Sequence, residues 1–256
     1  MLSVTRRDKI LVALQAKHSA SVGELSKACK VSQVTIRQDL KRMANEGLLT
    51  RTRGGALLTD RTNRELNFSA RDRLNADAKL RIGALAATLV NPGDSIILDA
   101  STTALYVVRA IMHRQDLHDL TIITNGIQTA LELVNRPDIT TILIGGILRM
   151  TSISLVGALG WEVLGKINAN KGFFGTRGIS VEAGLTDVNM LEANTKKAMV
   201  ERCQEVIAVA DASKFGEMSL VSFATIDQVH RIITDNSAPR AELDPLREHR
   251  VQVMLA

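Results

Sequence analysis

The stretch from Val31 to Gly55 constrains the fold of this chain more than any other part of its sequence. It reads VSQVTIRQDLKRMANEGLLTRTRGG. Ser32 is a residue type that caps helices, because its hydroxyl accepts a hydrogen bond from a free backbone N–H one turn later. Apolar residues then follow at helical spacing, at Val34, Ile36, Leu40, Met43 and Ala44. The stretch therefore predicts an amphipathic helix from Ser32 to Glu46.

A short basic hairpin is predicted after this helix. Gly47 can end the helix in a left-handed conformation, and the strand-like segment 48–53 places Arg51 and Arg53 among threonines before Gly54 and Gly55. Polar and basic side chains occupy the other faces of the helix: Gln33, Thr35, Arg37, Gln38, Lys41 and Arg42. This combination suits a DNA groove with its flanking phosphates, whereas the alternative is an amphipathic helix with a solvated charged face.

The residues before this helix favour the DNA-binding interpretation. Ile10, Leu11 and Leu14 are spaced as on a helix, and Ser21 is placed to cap a short helix from Val22 to Cys29. Three helices and a trailing hairpin form a winged helix-turn-helix, whose last helix reads the major groove. The predicted DNA-binding residues are Ser32, Gln33, Thr35, Arg37, Gln38, Lys41, Arg42, Arg51 and Arg53.

The charge distribution agrees with a nucleic-acid-binding head on a near-neutral body. The formal net charge of the 256 residues is +5, and residues 1–60 hold 11 Lys or Arg against 5 Asp or Glu, which leaves 21 against 22 for the rest. The two cysteines, Cys29 and Cys203, indicate reduced thiols of a cytoplasmic protein and predict no disulfide, metal or cofactor. No signal peptide or membrane span is predicted either.

Residues 79–256 show the alternation of an α/β domain. Strand-like runs, among them those at 95–98, 121–123 and 205–210, alternate with helix-like segments such as 104–112 and 189–202. Such alternation predicts a mostly parallel sheet covered on both faces. We therefore expect a winged helix-turn-helix domain over residues 1–57, a linker over residues 58–78 and an α/β domain over residues 79–256.

Small, polar or glycine-rich clusters follow the predicted strands, and ligands of open α/β sheets bind at the carboxyl ends of strands. Ser101, Thr102 and Thr103 open a helix, where free N–H groups and the helix dipole suit a phosphate or another oxyanion. Each cluster alone has a plainer explanation as a cap or a turn. The predicted effector-binding residues are Asp99, Ser101, Thr102, Thr103, Thr124, Asn125, Gly145, Gly146, Arg149, Arg177, Glu192, Asp211 and Lys214.

Over nearly its full length the chain resembles the DeoR family of bacterial transcription regulators. Matching residues in the head are Val31-Ser32, Thr35-Ile36-Arg37, Asp39-Leu40, Gly47-Leu48, Arg51 and Gly54-Gly55. Matching residues in the body are Asp99 with Thr102-Thr103, Thr124-Asn125, Gly145-Gly146 with Arg149, Gly157, Gly175, Gly184 with Thr186, Glu192, and Asp211 with Ser213-Lys214-Phe215. The resemblance implies a sensor domain similar to ribose-phosphate isomerases and CoA transferases that binds a phosphorylated sugar or related metabolite.

Two positions depart from the pattern of that family. Ser101 stands where members often have glycine, so its side chain either adds a hydroxyl to the anion loop or narrows it. Arg177 stands where members often have an acidic residue. That change either favours a more anionic effector or places an arginine on the surface.

We expect a homodimeric or homotetrameric repressor of a carbohydrate-use operon that loses operator affinity when the effector binds. A second hypothesis is a sugar-phosphate isomerase or transferase with a DNA-binding appendage, for which Asp99, Glu192, Asp211 and Lys214 would supply the acid and base groups. A third is an activator or a nucleoid-type DNA binder.

Overall fold

The computed structural model describes residues 6–7, 9–11, 13–14, 19–45, 48–58 and 65–256. The chain divides into two compact units, residues 1–71 and 72–256. In the first unit the described residues between 6 and 14 are helical, and Ile10, Leu11 and Leu14 are buried. Two helices follow, α1 (Val22–Cys29) and α2 (Gln33–Asn45). The predicted helix end at Gly47 lies outside the described residues.

Side-chain caps set the boundaries of α1 and α2. Ser21 and Glu24 form a reciprocal capping box at the start of α1, and Lys30 ends that helix in a left-handed conformation. The Ser32 hydroxyl accepts from the backbone N–H of Thr35 at 3.2 Å, as predicted for a cap of α2. The turn between α1 and α2 is stabilised by Ser26, whose hydroxyl donates to the Val31 carbonyl at 2.6 Å.

A three-stranded antiparallel sheet completes the first unit. Its strands are β1 (Ser19–Ser21), β2 (Leu49–Arg51) and β3 (Gly55–Leu58), in the order β1-β3-β2. The helices and this sheet form the predicted winged helix-turn-helix, with β2 and β3 as the wing. Strand β1 was not anticipated because three residues with one buried side chain give too short a pattern to detect.

The predicted linker, residues 58–78, is partly helical. It contains α3 (Phe68–Arg73) and the first residues of α4 (Ala76–Ala87), while residues 59–64 lie outside the described residues. Short polar helices of this kind lack the sustained periodicity that identifies a helix in a sequence.

A seven-stranded, wholly parallel sheet forms the centre of the second unit. Its strand order is β15-β14-β12-β9-β4-β5-β6, and every neighbouring pair is parallel. The strands are β4 (Ser95–Leu98), β5 (Thr121–Thr124), β6 (Thr140–Leu143), β9 (Ala169–Phe174), β12 (Cys203–Val209), β14 (Arg231–Thr234) and β15 (Gln252–Leu255). The helices α4, α5 (Thr102–Met112), α6 (Ile127–Leu133), α8 (Met190–Val200) and α9 (Arg240–Glu248) accompany them.

The direction of the connections reverses between β4 and β9. From β4 the chain proceeds to β5 and β6 on one side, and from β9 it proceeds to β12, β14 and β15 on the other. In open α/β sheets the crevice outside the carboxyl ends of two such central strands is the usual ligand position. Apolar clusters lie on both faces of the sheet, one including Ile97 and Phe174 and the other including Ile96 and Phe173.

Several small elements between β6 and α8 were not predicted from the sequence. They are the hairpin β7 (Ile147–Arg149) and β8 (Ser154–Val156), the helix α7 (Ala158–Leu164), and the strands β10 (Gly178–Ser180) and β11 (Gly184–Asp187), which form an antiparallel sheet with β13 (Val221–Ala224). Among the described residues, no helix has the length and apolar character needed to cross a membrane.

A buried ion pair ties the first helical segment to α2. The guanidinium of Arg6 donates to Asp39 with a distance of 2.6 Å between Nε and Oδ2, and the Asp39 side chain is almost fully buried. The hydrogen bond with Asp39 raises the pKa of Arg6 despite partial desolvation, so the arginine stays charged.

Replacing Asp39 with alanine should destabilise the first unit by about 3 kcal/mol, because the largely buried Arg6 side chain would lose its carboxylate. Hydrogen exchange of backbone amides in α2 of the full-length protein measures this change. The double variant Arg6→Ala, Asp39→Ala should be less destabilised than the sum of the two single variants. Purely additive losses would show that the pair does not hold the helices together.

Candidate functional site

The exposed surface of α2 presents two parallel rows of side chains. One row is Gln33, Arg37 and Lys41, and the other is Val34, Gln38 and Arg42; all six residues are exposed. Each row has a spacing of four residues, which aligns side chains along one side of a helix. Of the predicted DNA-contacting residues of α2, five therefore lie together on one side of the helix: Gln33, Arg37, Gln38, Lys41 and Arg42.

Arg37 is held in place by its own row. Its Nη2 donates to the Gln33 side-chain oxygen at 3.3 Å, which limits the positions that the guanidinium can take. The acidic residue of α2, Asp39, is directed away from this surface and is bonded to Arg6. The surface of α2 is therefore polar and positively charged.

Two predicted residues of α2 have partly structural roles. Thr35 is half-buried, and its hydroxyl lies 2.9 Å from that of Ser32, which also caps the helix.

Val34, interpreted from the sequence as part of the apolar inner face, is instead 61% exposed. It lies a half-turn away from Ile36, and the inner face consists of Ile36, Leu40 and Met43.

The wing contributes two more exposed arginines. Arg51 ends β2, and Arg53 lies in the turn before β3. A backbone hydrogen bond from Thr52 N–H to the Gly55 carbonyl, 3.0 Å long, closes this turn. The arginines are thus attached to a rigid hairpin rather than to a loose loop.

In the second unit, the carboxyl ends of β4 and β9 meet at a buried charged group that we call the lysine cluster: Lys196, Asp99, Asp187 and Gly175. The Lys196 Nζ lies 2.8 Å from Asp187 Oδ2, 3.0 Å from Asp99 Oδ2 and 2.8 Å from the Gly175 carbonyl oxygen. The ammonium therefore donates hydrogen bonds to Asp187 and to the Gly175 carbonyl and forms an ion pair with Asp99. Asp99 also accepts from the backbone N–H groups of Ser101 and Gly175.

Lys196 is charged throughout the physiological pH range. Burial by itself lowers the pKa of this lysine, but the carboxylates of Asp187 and Asp99 outweigh burial and raise the pKa well above its ordinary value. A lysine with a raised pKa in the folded state stabilises the fold fully below its ordinary pKa. That stabilisation is lost only as the pH rises through the raised value.

A second group, the glutamate cluster, lies on the same helix. Glu192 precedes Lys196 by one turn of α8, and its Oε1 accepts from Ser152 Oγ, Ser154 Oγ and Arg149 Nη1 at 2.5, 2.5 and 2.9 Å. The two serines and the glutamate are buried, and the Arg149 side chain is largely buried. The predicted residues Arg149 and Glu192 are thus direct partners.

Asn125 adjoins these clusters and carries an unused acceptor. Its Nδ2 donates to the Leu155 carbonyl at 3.1 Å, which fixes the amide beside β8 and Ser154. Among the described residues its Oδ1 has no hydrogen-bond partner, although Asn125 is 1% exposed. Asn125 follows β5 just as Asp99 follows β4, since Leu98 and Thr124 are paired in register.

The start of α5 offers donors in the same region. Ser101 caps this helix through its hydroxyl, which accepts from the Ala104 N–H at 3.1 Å. The N–H groups of Thr102 and Thr103, the first two of the helix, have no acceptor within the described part of the chain. The predicted anion loop is therefore formed by these N–H groups, while the Ser101 hydroxyl is engaged as a cap.

The side chain of Ser101, which stands where family members often have glycine, lies against Gly175. A Cβ added at Gly175 would come within 2.4 Å of the Ser101 Cβ and 2.3 Å of its Oγ. The serine therefore narrows this part of the loop, and position 175 has room only for glycine. Of the other predicted glycines, Gly146 has a φ of +147° and approaches the Val156 carbonyl, whereas Gly145 faces open space.

The remaining predicted residues have hydrogen-bond partners outside the lysine cluster and the glutamate cluster. Thr124 is buried and accepts from the Gly126 N–H, and the Arg177 N–H donates to the Thr186 carbonyl. Asp211 accepts from Asn75 Nδ2 at 2.7 Å and from Ser213, and lies 3.9 Å from Lys214 Nζ. Burial raises the pKa of Asp211, but Lys214, Ser213 and Lys79 outweigh it and lower that pKa.

The sequence analysis missed Lys196, Asp187, Ser152 and Ser154. Lys196 could have been found, because it lies one helical turn after Glu192. Asp187 and the two serines belong to short elements whose positions depend on the folded chain. A group of three or more residues suited to hold a metal ion is absent from the described residues.

Replacing Lys196 with methionine should lower the free energy of unfolding by about 3–5 kcal/mol at pH 7, because two buried carboxylates would lose their cation. Urea unfolding of the full-length protein measures this loss. Lys197, the exposed neighbour on α8, provides the matched control, and Lys197→Met should change stability by less than about 0.5 kcal/mol. Equal losses in both variants would contradict a structural role for the lysine cluster.

Comparisons with known proteins found a matching family model for each of the two units. The family model described as the DeoR-like helix-turn-helix domain matches residues 6–62, and that described as the DeoR C-terminal sensor domain matches residues 74–236. The HTH-type transcriptional regulator YulB of Bacillus subtilis is 38% identical over 99% of this chain and 96% of its own length. The transcriptional repressor GlcR of the same species is 32% identical over 96% of this chain and 93% of its own length.

Among solved structures, ribose 5-phosphate isomerase A from Methanocaldococcus jannaschii has 17% identity and a TM-score of 0.40, covering 55% of this chain and 54% of that one. This likeness is too distant to bear on activity. The relatives are transcriptional regulators over nearly the whole chain, so the chain is a regulator and the enzyme hypothesis is set aside. On the family models and these identities, the chain belongs to the DeoR family of transcriptional regulators.

Proposed function

We propose that this protein represses a carbohydrate-use operon and is released from its operator by a phosphorylated sugar or a related anionic metabolite. The observation that carries the effector assignment is the unused hydrogen-bonding capacity between β4 and β5. The free N–H groups of Thr102 and Thr103 suit an anion, and the unpartnered Oδ1 of Asn125 suits a hydroxyl. A phosphorylated sugar carries both groups on one small molecule.

The charged clusters supply further recognition groups in this proposal. Arg149 offers a cation beside the Asn125 loop, and Asp99, Glu192, Asp211 and Lys214 offer groups for hydroxyls and charge. An anionic ligand that attracts Arg149 would weaken its ion pair with Glu192. Such a ligand would bind the two arrangements of the cluster with different affinity, which is the condition for an allosteric response.

In the DNA-bound state, α2 lies in the major groove. Gln33, Thr35, Arg37 and Gln38 approach the bases, with the exposed Val34 placed to contact a thymine methyl group. Lys41, Arg42, Arg51 and Arg53 contact phosphates. One head covers few base pairs, so the protein acts in the cytoplasm as a homodimer or homotetramer on repeated half-sites.

The proposal is tested by gel-shift binding to DNA from the protein's own promoter region, with and without a panel of phosphorylated sugars. Selective binding that one sugar phosphate relieves is the expected result. A sugar phosphate that strengthens binding would favour an activator, and equal binding to all DNA at physiological salt would favour a nucleoid-type binder. Either result would contradict the proposal that this protein is a repressor.

Arg37→Ala should weaken binding to the preferred operator by roughly 1–3 kcal/mol and relax specificity, because the arginine reads a base. Arg53→Ala is the comparison variant and should weaken binding to all DNA alike while lowering the slope of log affinity against log salt by about 1. Fluorescence anisotropy over a salt series separates the two effects. A uniform loss for Arg37→Ala would make this residue a phosphate contact.

Ser101→Asp should leave operator binding intact and impair release by the effector, because a negative charge at the start of α5 repels an anion. Aspartate retains the helix cap, so the helix itself should persist. Ser101→Asn is the matched control, since asparagine also caps helices and has nearly the same shape without the charge. An equal response of both variants to effector would remove this loop from the effector site.

A further inference from the structure

An apolar surface surrounds the hairpin β7–β8, which we call the arm (residues 147–156). Ile147, Leu148 and Met150 of the arm are 61%, 47% and 78% exposed. Leu143 at the end of β6 and Leu159 and Val163 on α7 are also exposed. Ile147 lies beside Gly157, and α7 packs on the end of β6 through Gly160 and Ile144, so these elements adjoin one another. We call the six side chains the arm surface.

The arm surface is large for a surface that remains in water. Its six apolar side chains are each between 42% and 78% exposed, and soluble monomers rarely expose large groups of apolar side chains together. Each partner of a standard protein interface buries roughly 800 Å². A two-stranded hairpin is also marginally stable by itself, so side chains exposed on both of its faces favour a covering partner.

A second copy of this chain is the partner that fits the arm surface. Residues 139–148, read ITTILIGGIL, contain no charged side chain. This neutral stretch is not repelled by its own copy, and the charged side chains beside it, Glu162 on α7 and Lys166 just after that helix, are paired with each other at 3.2 Å. Strand β6 is also an edge of the parallel sheet, and an uncharged edge strand can pair antiparallel with its own copy across a two-fold axis.

We propose that the arm surface is where two copies of this chain dock, and that the Arg149–Glu192 ion pair links this docking to the effector site. Arg149 ends the first strand of the arm, and its Nη1 donates to the Glu192 Oε1 at 2.9 Å. Ser152 and Ser154 of the arm also donate to this oxygen, so a change at Glu192 reaches the arm directly. The inference rests on the proposed function for its effector and for the need to pair two DNA-binding heads.

Sedimentation velocity of the full-length protein at micromolar concentration, without DNA or effector, tests the docking. The wild type should sediment as at least two chains, and Leu148→Glu should form a smaller assembly. Leu255, which lies on β15 at the opposite edge of the sheet and is 46% exposed, provides the matched control. Leu255→Glu should assemble like the wild type.

The docking proposal would be contradicted by any of three results. These are a monomeric wild type, normal assembly of Leu148→Glu, and dissociation of Leu255→Glu. Met150→Glu guards against misfolding, because that side chain lies in the turn of the arm and is 78% exposed. It should dissociate the protein while its circular dichroism spectrum matches the wild type. Since neither operator nor effector is present, a failure here leaves the gel-shift test of the proposed function unaffected.

The link to the effector site is tested by Glu192→Gln, which weakens the attraction for Arg149 without changing shape. Its dissociation constant for self-association should change at least several-fold relative to the wild type. The exposed residue Glu201 at the end of α8 is the control, and Glu201→Gln should leave that constant unchanged. An unchanged constant for Glu192→Gln would separate the arm from the effector site.

Discussion

The ammonium group of Lys196 is the contact on which the carboxyl end of the sheet depends. It joins Asp99 after β4, the Gly175 carbonyl after β9 and Asp187 at the end of β11. Three segments distant in sequence are thereby held around one buried cation. The cost of burying this charge is offset because two carboxylates and one carbonyl oxygen lie within 3.0 Å of the ammonium nitrogen. The space between β4 and β5 is shaped by loops that this contact fixes.

Helix α8 carries two clusters with different character. Lys196 is enclosed by three acceptors, so it is suited to holding the loops together. Arg149, which meets Glu192 one turn earlier on the helix, comes from a hairpin with exposed apolar side chains. In the proposed function, an anionic effector that draws Arg149 away from Glu192 would convert ligand binding into movement of this hairpin.

Much of the fold was predictable because its main elements have strong local patterns. The amphipathic period and caps identified α1 and α2, and short apolar runs followed by polar residues identified β4, β5 and β12. Val34 was wrongly assigned to the inner face because apolar character alone does not fix the side of a helix at its first turn. The strands of the arm and of the antiparallel sheet β10, β11 and β13 were missed, since they lack the continuous apolar run that marks β4 and β5, and the seven-residue helix α7 is too short to show a helical period.

The sequence by itself determined the two-unit organisation expected of the DeoR family, the basic face of α2 and the polar clusters after the strands, because periodicity, caps and charge are local properties. Only the tertiary structure decided which polar groups became partners. It paired Arg149 with Glu192, enclosed Lys196 between Asp99 and Asp187, and left the Asn125 Oδ1 without a hydrogen-bond donor among the described residues. Such partnerships arise from strand order and loop packing, which bring residues far apart in sequence within hydrogen-bond distance.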